Sequence, residues 1–352
     1  MKRVVPIVIL SAVLSCGQWK VTSYQSSKIC SIPAGIMPGQ VHIKVEDHGL
    51  LDLSFNVRLF GGKIYVTDNV LKRVQILDRD GKAQVLIGQK VPVPSGDSLI
   101  QSPFNFSVLG HVAADSDGNL YVQNRLMSRE VGSGISEELD FSPSYVLKFD
   151  GEGKLQYTLG KTGLPNIPFD YIDSLEIDRK DRLVVVSRKF NTWSVSRFNG
   201  KNRDFSVNFV KSDFRDRENN SVFQGKIDNV RIMRDGDMFL LSVSYYSGLR
   251  FKYRKIFNYS IQDRKITRTI MNIPDPKNEL FSVVDNMHLY LWNVDEGQTK
   301  FAICNMEGNI VNNIHVKSTD RRVYFRDIQI DDSGMIYSYH VYKDRIDIME
   351  WK

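Results

Sequence analysis

Helical periodicity, cysteine and long apolar runs are all scarce in this chain of 352 residues. No stretch reaches the roughly 20 apolar residues that a helix needs to cross a bilayer. Three cysteines, Cys16, Cys30 and Cys304, are too few for a disulfide-built scaffold or a cysteine-rich metal site. The six histidines, at positions 42, 48, 111, 288, 315 and 340, never fall two or four residues apart, so spacing defines no zinc site. A P-loop, a dinucleotide fingerprint and a Gly-x-Ser-x-Gly elbow are all absent from the sequence, and no cofactor is expected. The formal charge of +6 falls to +4 once Lys2 and Arg3 are set aside, too mild to point to nucleic acid. Basic residues gather at 179–217 and 250–268, but Asp181, Asp204, Asp213, Asp216, Glu218 and Asp263 are mixed among them. That mixture reads as a solvated face rather than an anion-binding patch.

What is present starts at the first residue. Met1-Lys2-Arg3 is positive, residues 4–14 are apolar, and Gln18-Trp19-Lys20 turns polar at once, which is the layout of an export signal. The apolar run ends Val13-Leu14-Ser15-Cys16-Gly17, which resembles the bacterial lipobox. That resemblance implies removal of residues 1–15 and acylation of Cys16, palmitate included, so that the membrane holds the chain through buried acyl chains. No acidic residue follows Cys16 up to Lys20. By analogy with other bacterial lipoproteins, this favours the outer over the inner membrane. Residues 16–39, polar and serine-containing with Pro33 and Pro38 near the end, are expected to form a lipidated tether. Cys30 and Cys304 can pair in an oxidising envelope or remain two buried thiols, and the sequence leaves both open.

Beyond residue 40 the apolar stretches are short and rich in Val, Ile, Tyr and Phe, and Gly, Asp or Asn interrupts them every few residues. Such a pattern makes strands and hairpins. Gly62-Lys63-Ile64-Tyr65-Val66-Thr67-Asp68, then Arg73-Val74-Gln75-Ile76-Leu77-Asp78, then Arg79-Asp80-Gly81-Lys82 and residues 83–88 read as strand, loop, strand, tight turn, strand. Asp-Gly suits the turn because glycine accepts a positive φ. The unit returns at Gly118-Asn119-Leu120-Tyr121-Val122 and at Phe149-Asp150-Gly151-Glu152-Gly153-Lys154, with diluted copies later. Counted on Tyr65, Tyr121, Val184, Phe239, Tyr290 and Tyr337, six copies lie 47 to 63 residues apart. A sheet repeated at that period predicts an all-β, six-bladed β-propeller spanning residues 40–352 as one domain. The last copy lacks an outer strand, and residues 42–45 are expected to supply it, closing the ring from the N-terminal side.

Residues 62–82 and 118–154 resemble NHL repeats in their glycine, Tyr-Val, Arg-Val-Gln and Asp-x-x-Gly-Lys elements. The resemblance implies a six-bladed ring. With the lipobox it is similar to propeller lipoproteins of spirochaetes and Bacteroidetes.

Asp78-x-Asp80-Gly81 and Asp115-x-Asp117-Gly118 imitate calcium loops, but Gln89 and Leu126 stand where an EF-hand needs glutamate. They are read as turns, and no metal site is assigned. Neither mature cysteine carries a nucleophile motif, so no catalytic residue can be named. The loops between second and third strands carry Asn124, Arg125, Arg188, Lys189, Tyr245, Tyr246, Asp295 and Tyr342, a mixture of Arg and Tyr that interaction surfaces favour. Two insertions, at residues 89–105 and 126–144, lie on that same face. The expected function is a membrane-anchored envelope module binding a protein or glycan. The alternative is an envelope hydrolase or lyase with its site at the central channel.

Overall fold

The computed structural model describes residues 21–45, 51–52, 54–92, 98–126, 144–160, 169–218, 221–295, 298–317, 320 and 322–352. Six antiparallel sheets follow one another along the chain, and they form a six-bladed propeller. Blade 1 holds Phe55–Phe60, Lys63–Asp68, Arg73–Leu77 and Ala83–Gly88, and blade 2 holds Val108–Ala114, Leu120–Arg125, Ser144–Phe149 and Leu155–Leu159. Blade 3 runs Tyr171–Ile177, Leu183–Lys189, Thr192–Asn199 and Asn202–Val210, and blade 4 runs Ser221–Ile232, Met238–Ser247, Arg250–Ser260 and Lys265–Ile273. Blade 5 comprises Glu279–Val284, His288–Asp295, Gln298–Asn305 and Ile310–Val316, and blade 6 comprises Phe325–Ile330, Ile336–Val341 and Arg345–Trp351. In each blade the first strand is innermost. The register sets its start beside the end of the second strand, as in Val108 opposite Arg125 and Tyr171 opposite Arg188. Loops joining second to third strands and loops joining blades therefore share one face, here the upper one.

Period-two alternation builds the core between the blades rather than within them. Leu183 and Val185 pack with Tyr121 of blade 2, whereas Val184 and Val186 pack with Phe239 and Leu241 of blade 4. One repeat position departs from expectation. Tyr121 and Tyr290 point towards the following blade, yet Phe239 points back to blade 3 and Leu240 takes the forward position. The cause is local. The turn before the second strand is closed by Asp115 N–H to Asn119 and Asp178 N–H to Arg182, but in blade 4 by Met233 N–H to Met238, one residue longer. One extra residue turns every following side chain to the other face.

The ring closes from the N-terminal side, but with a different strand from residues 42–45. Ser26–Pro33 pairs antiparallel with Arg345–Trp351, from Ser26 opposite Trp351 to Pro33 opposite Arg345. Just before it, Val21–Tyr24 pairs parallel with Ile310–Val316 of blade 5. Lys44–Val45 pairs instead with Leu51–Asp52. The segment expected as a tether is thus largely structural. Arg73 and Gln75, fully buried, clamp residues 36–40, just past this clasp. Arg73 Nη1 donates to the Ile36 carbonyl at 2.6 Å, its Nη2 to Met37 and Gln40 carbonyls at 3.1 and 3.0 Å, and Gln75 Nε2 to Gln40 at 2.7 Å. A buried guanidinium needs such acceptors, and the backbone carbonyls of residues 36–40 supply them.

Ile100–Pro103, from the first insertion, adds a parallel fifth strand to blade 1 and covers the edge of Ala83–Gly88. Most of the second insertion, residues 127–143, lies outside the described residues, as does Cys16. Cys30 and Cys304 do not pair: both are free, buried thiols. Cys30 sits between blades 6 and 1 and Cys304 between blades 4 and 5, and burial pushes each thiol up to about 11.

Candidate functional site

Two regions collect polar side chains: the axis, lined by the six inner strands, and the upper rim. An inner strand presents unpaired backbone groups to the channel, and each unsatisfied group is costly. Side chains from the neighbouring blade meet that need. Gln329 of blade 6 donates to the Val57 carbonyl at 2.5 Å and accepts from Leu59 N–H at 3.1 Å. Asn69 exchanges two hydrogen bonds with the Leu109 backbone, at 2.9 and 2.6 Å. His111 bonds the backbone of Ile172, Glu176 accepts from Ile232 N–H at 3.2 Å, and Asn229 and Arg231 donate to Leu280 and Phe281 carbonyls at 2.7 and 2.8 Å. Among the described residues no such strut joins blade 5 to blade 6. That seam is crossed instead by the clasp, with Val21–Tyr24 on one side and Ser26–Pro33 on the other.

Two of the struts, His111 and Glu176, are titratable groups that burial perturbs, and so are the carboxyls of Asp173 and Asp327 near them. His111 is lowered to about 4, first by burial and then by the Arg58 and Arg231 guanidiniums. Burial raises the carboxyls of Asp173, Glu176 and Asp327, opposed by Arg188 and Arg231, by Arg231, and by Arg58 respectively. Arg231 acts on His111, Asp173 and Glu176 together. Asp327 lies 3.6 Å from Arg58 and Asp173 lies 3.5 Å from Arg188. Sequence reading missed this ring of residues. Its signal was polar side chains inside inner strands: His111, Asp173 and Asp228 each sit where the pairing with the second strand shifts by a bulge. Among the described residues no three His, Cys, Asp or Glu side chains are disposed to hold a metal.

The turns that imitate calcium loops spend their carboxylates on their own backbone. Asp78 Oδ1 accepts from Asp80 and Lys82 N–H at 3.0 and 2.9 Å, and Asp115 Oδ1 accepts from Asn119 N–H at 2.8 Å. They are Asx-type turns.

The rim residues divide. Asn124 is buried and accepts from Ser107 N–H at 2.9 Å, fixing the connection into blade 2, while Arg125 is half-buried beside it. Arg188 is exposed over the Tyr171 and Trp193 rings, 4.5 and 5.6 Å from their centroids, and Lys189 lies 3.4 Å from Asp170. Tyr245 is buried against Tyr253, and Tyr246 lies edge-on to Phe251. Tyr342 donates to Asp320 at 3.0 Å beneath the Arg345 guanidinium. The side chain of Asp295 lies outside the described residues. These positions share a face but occupy separate blades, so they form stations around a rim rather than one site. One station is concave: a groove of about 490 Å³ in blade 6, lined among others by Arg322, Tyr324, Tyr342, Lys343 and Arg345.

No protein-family model and no curated protein matches the chain. Solved structures do resemble it. A protein of unknown function from Bacteroides caccae is 14% identical, with 76% of this chain and 87% of that one covered and a TM-score of 0.40. The Dos1 propeller is 10% identical over 92% and 82%, with a TM-score of 0.43, and Kuenenia stuttgartiensis hydrazine synthase is 12% identical over 80% and 78%, with a TM-score of 0.44.

Proposed function

We propose that this chain is an exported lipoprotein of the cell envelope, anchored through Cys16 to the outer membrane, whose propeller binds a protein or glycan at its upper rim. The observation that carries the binding reading is how the channel uses its titratable groups. Of the perturbed groups, His111 and Glu176 bond neighbouring backbone, as Asn229, Arg231 and Gln329 do beside them, so the perturbation of those two has a structural cause and does not by itself mark an active site. The groove in blade 6, with the Lys343 ammonium 5.8 Å above the Tyr324 ring and the Arg345 guanidinium 4.4 Å above Tyr342, offers the aromatic and cationic chemistry of recognition.

The test is equilibrium binding to purified envelope glycans and envelope proteins. Tyr324→Ala with Lys343→Ala should weaken binding at least tenfold and His111→Gln should leave it intact. Turnover of a glycan that disappears in His111→Gln would favour the hydrolase or lyase reading instead. For the anchor, Cys16→Ala should abolish acyl labelling and release the chain from membranes. Only residues 17–20 separate Cys16 from the strand Val21–Tyr24, a reach of at most about 18 Å. The lipid would therefore pull directly on the clasp that closes the ring.

A further inference from the structure

Blade 4 is built on a different scale from the others. Its inner strand Ser221–Ile232 has 12 residues, against 6 in Phe55–Phe60 and 7 in Val108–Ala114. The surplus continues the blade's own sheet above the upper face, with Arg215–Glu218 added as a fifth strand next to Ser221–Ile232. Phe214, Phe223, Tyr245 and Tyr253 fill one side of this projection. Gly225 is required there, since a Cβ would come within 2.5 Å of Phe214.

Alternation decides the charge of the opposite side. Arg215 and Arg217, two apart on one strand, pair with Gln224 and Val222, and Lys226 continues the same row. Asp216, the residue between the arginines, faces the other way, bonded to Lys255 and to the Tyr253 hydroxyl. Arg250 and Lys252 flank the tip. Arg215, Arg217, Lys226, Arg250 and Lys252 are exposed, and none of them is in an ion pair among the described residues. Residues 211–226 and 244–255 together carry eight basic and three acidic side chains, a net +5, which leaves residues 4–210, 227–243 and 256–352 at −1 in total. The projection thus holds the positive charge of the molecule. Of the basic clusters that read as a solvated face along the sequence, Arg215, Arg217, Arg250 and Lys252 come together on this projection, while Lys180, Arg182, Arg188, Lys189 and Arg197 are held by carboxylates in and beside blade 3.

At the tip Leu249 is fully exposed and Val222, at the same level, is 58% exposed. One row inward lie Tyr246 and Phe251, paired across the hairpin. Apolar at the tip, aromatic behind it, cations around: this is the depth order of a membrane interface, with acyl boundary, carbonyl region and phosphates in turn. We propose that the tip of blade 4 docks on an anionic lipid surface, with Leu249 in the headgroup region and Arg215, Arg217, Lys226, Arg250 and Lys252 against phosphates. This contact is independent of Cys16, which precedes the lower end of Val21–Tyr24, a strand parallel to Ile310–Val316, so the tip meets a lipid surface on the opposite side from the anchor.

The chain from Gly17 onwards keeps every described strand and lacks the acylated cysteine, so it isolates the contact. It should co-sediment with phosphatidylglycerol/phosphatidylcholine vesicles and not with phosphatidylcholine alone, and salt should weaken the binding. Arg215→Gln with Arg217→Gln and Lys226→Gln should lower affinity by about 100-fold, roughly fivefold per cation. A Leu249→Cys variant takes an environment-sensitive fluorophore selectively, because Cys30 and Cys304 are buried thiols; on anionic vesicles its emission should shift to the blue. Equal binding to both vesicle types, no binding to either, or a label that stays aqueous on bound vesicles each overturns the proposal and leaves the face to an acidic protein or glycan. Loss of acyl labelling in Cys16→Ala bears on the anchor alone.

Discussion

Blades 2 and 4 have the same four-strand plan and almost opposite sequence character. In blade 2 the strands run 5 to 7 residues and the repeat motif is intact in both lower turns. In blade 4 they run 9 to 12, the lower turn is one residue longer, and the upper half carries an added strand. The motif residues of blade 2 all serve the lower face, where Asp115 and Asp150 cap turns. The divergence of blade 4 is concentrated above. The repeat therefore records how a hairpin turns, and departures from it record where the molecule presents something.

The comparison is broken most severely at the blade 3–4 core. Phe239 is fully buried, stacked 4.6 Å from Tyr259 and edge-on to Phe209. Phe239→Ala should cost about 4 kcal/mol in urea unfolding. If the substitution costs under 1 kcal/mol, the long strands of blade 4 are not anchored at their base.

A second contrast uses one turn in two settings. Asp178, buried, caps its turn as Asp150 does, but its other oxygen holds Arg182 Nε at 2.7 Å, and Arg182 reaches the Asp235 carbonyl of blade 4. The matching oxygen of Asp150 holds only Gln156, at 2.8 Å near solvent. Asp178→Ala takes from an inter-blade guanidinium its nearest carboxylate, leaving Asp237 and Asp204 at 3.5 and 3.9 Å, and should cost about 3 kcal/mol, whereas Asp150→Ala should cost about 1 kcal/mol. Thermal unfolding of the two variants measures the difference, and equal losses would mean the seam does not depend on that pair.

The all-β class, six repeats and lower turns were legible because period-two alternation and Asp-Gly turns are local properties. The closing strand was not. Ser26–Pro33 is half polar and reads as a tether, since its apolar residues Cys30 and Ile32 gain a core only when blade 6 lies beside them. Rim residues could be placed on the correct face, yet Asn124 and Tyr245 proved to be buried supports, because exposure depends on insertions that no repeat encodes. The channel ring was illegible for a similar reason. Arg58, His111, Glu176 and Arg231 come from four blades, and nothing in their spacing announces that they meet.

That ring gives a pH test, and the depressed histidine sets its sign. A folded-state value of about 4 for His111, below the ordinary 6.5, makes its contribution complete above about pH 6.5 and lost as pH falls towards 4. Asp173, Glu176 and Asp327 are raised by burial and act in the opposite sense, gaining as they protonate. Wild type alone mixes the two effects. His111→Gln retains an amide donor for the Ile172 backbone but cannot titrate, so its stability deficit should shrink by about 2 kcal/mol between pH 7.5 and pH 5. A deficit constant with pH would mean that His111 is not buried neutral in the channel.

The smallest expected effect sharpens the comparison most. If the upper half of blade 4 exists for presentation, its exposed cations contribute nothing to folding. Arg217 is exposed, in no ion pair among the described residues, and pairs with Val222 beside the connection from Arg215–Glu218 into Ser221–Ile232. Arg217→Gln should leave unfolding within about 0.5 kcal/mol of wild type, while Asp216→Asn, one residue away, should destabilise because it loosens Lys255 and Tyr253 on the packed side. Adjacent residues on one strand would then separate fold from presentation, one face each. A loss at Arg217 as large as that at Asp216 would make the projection part of the core, and its charge a by-product of packing.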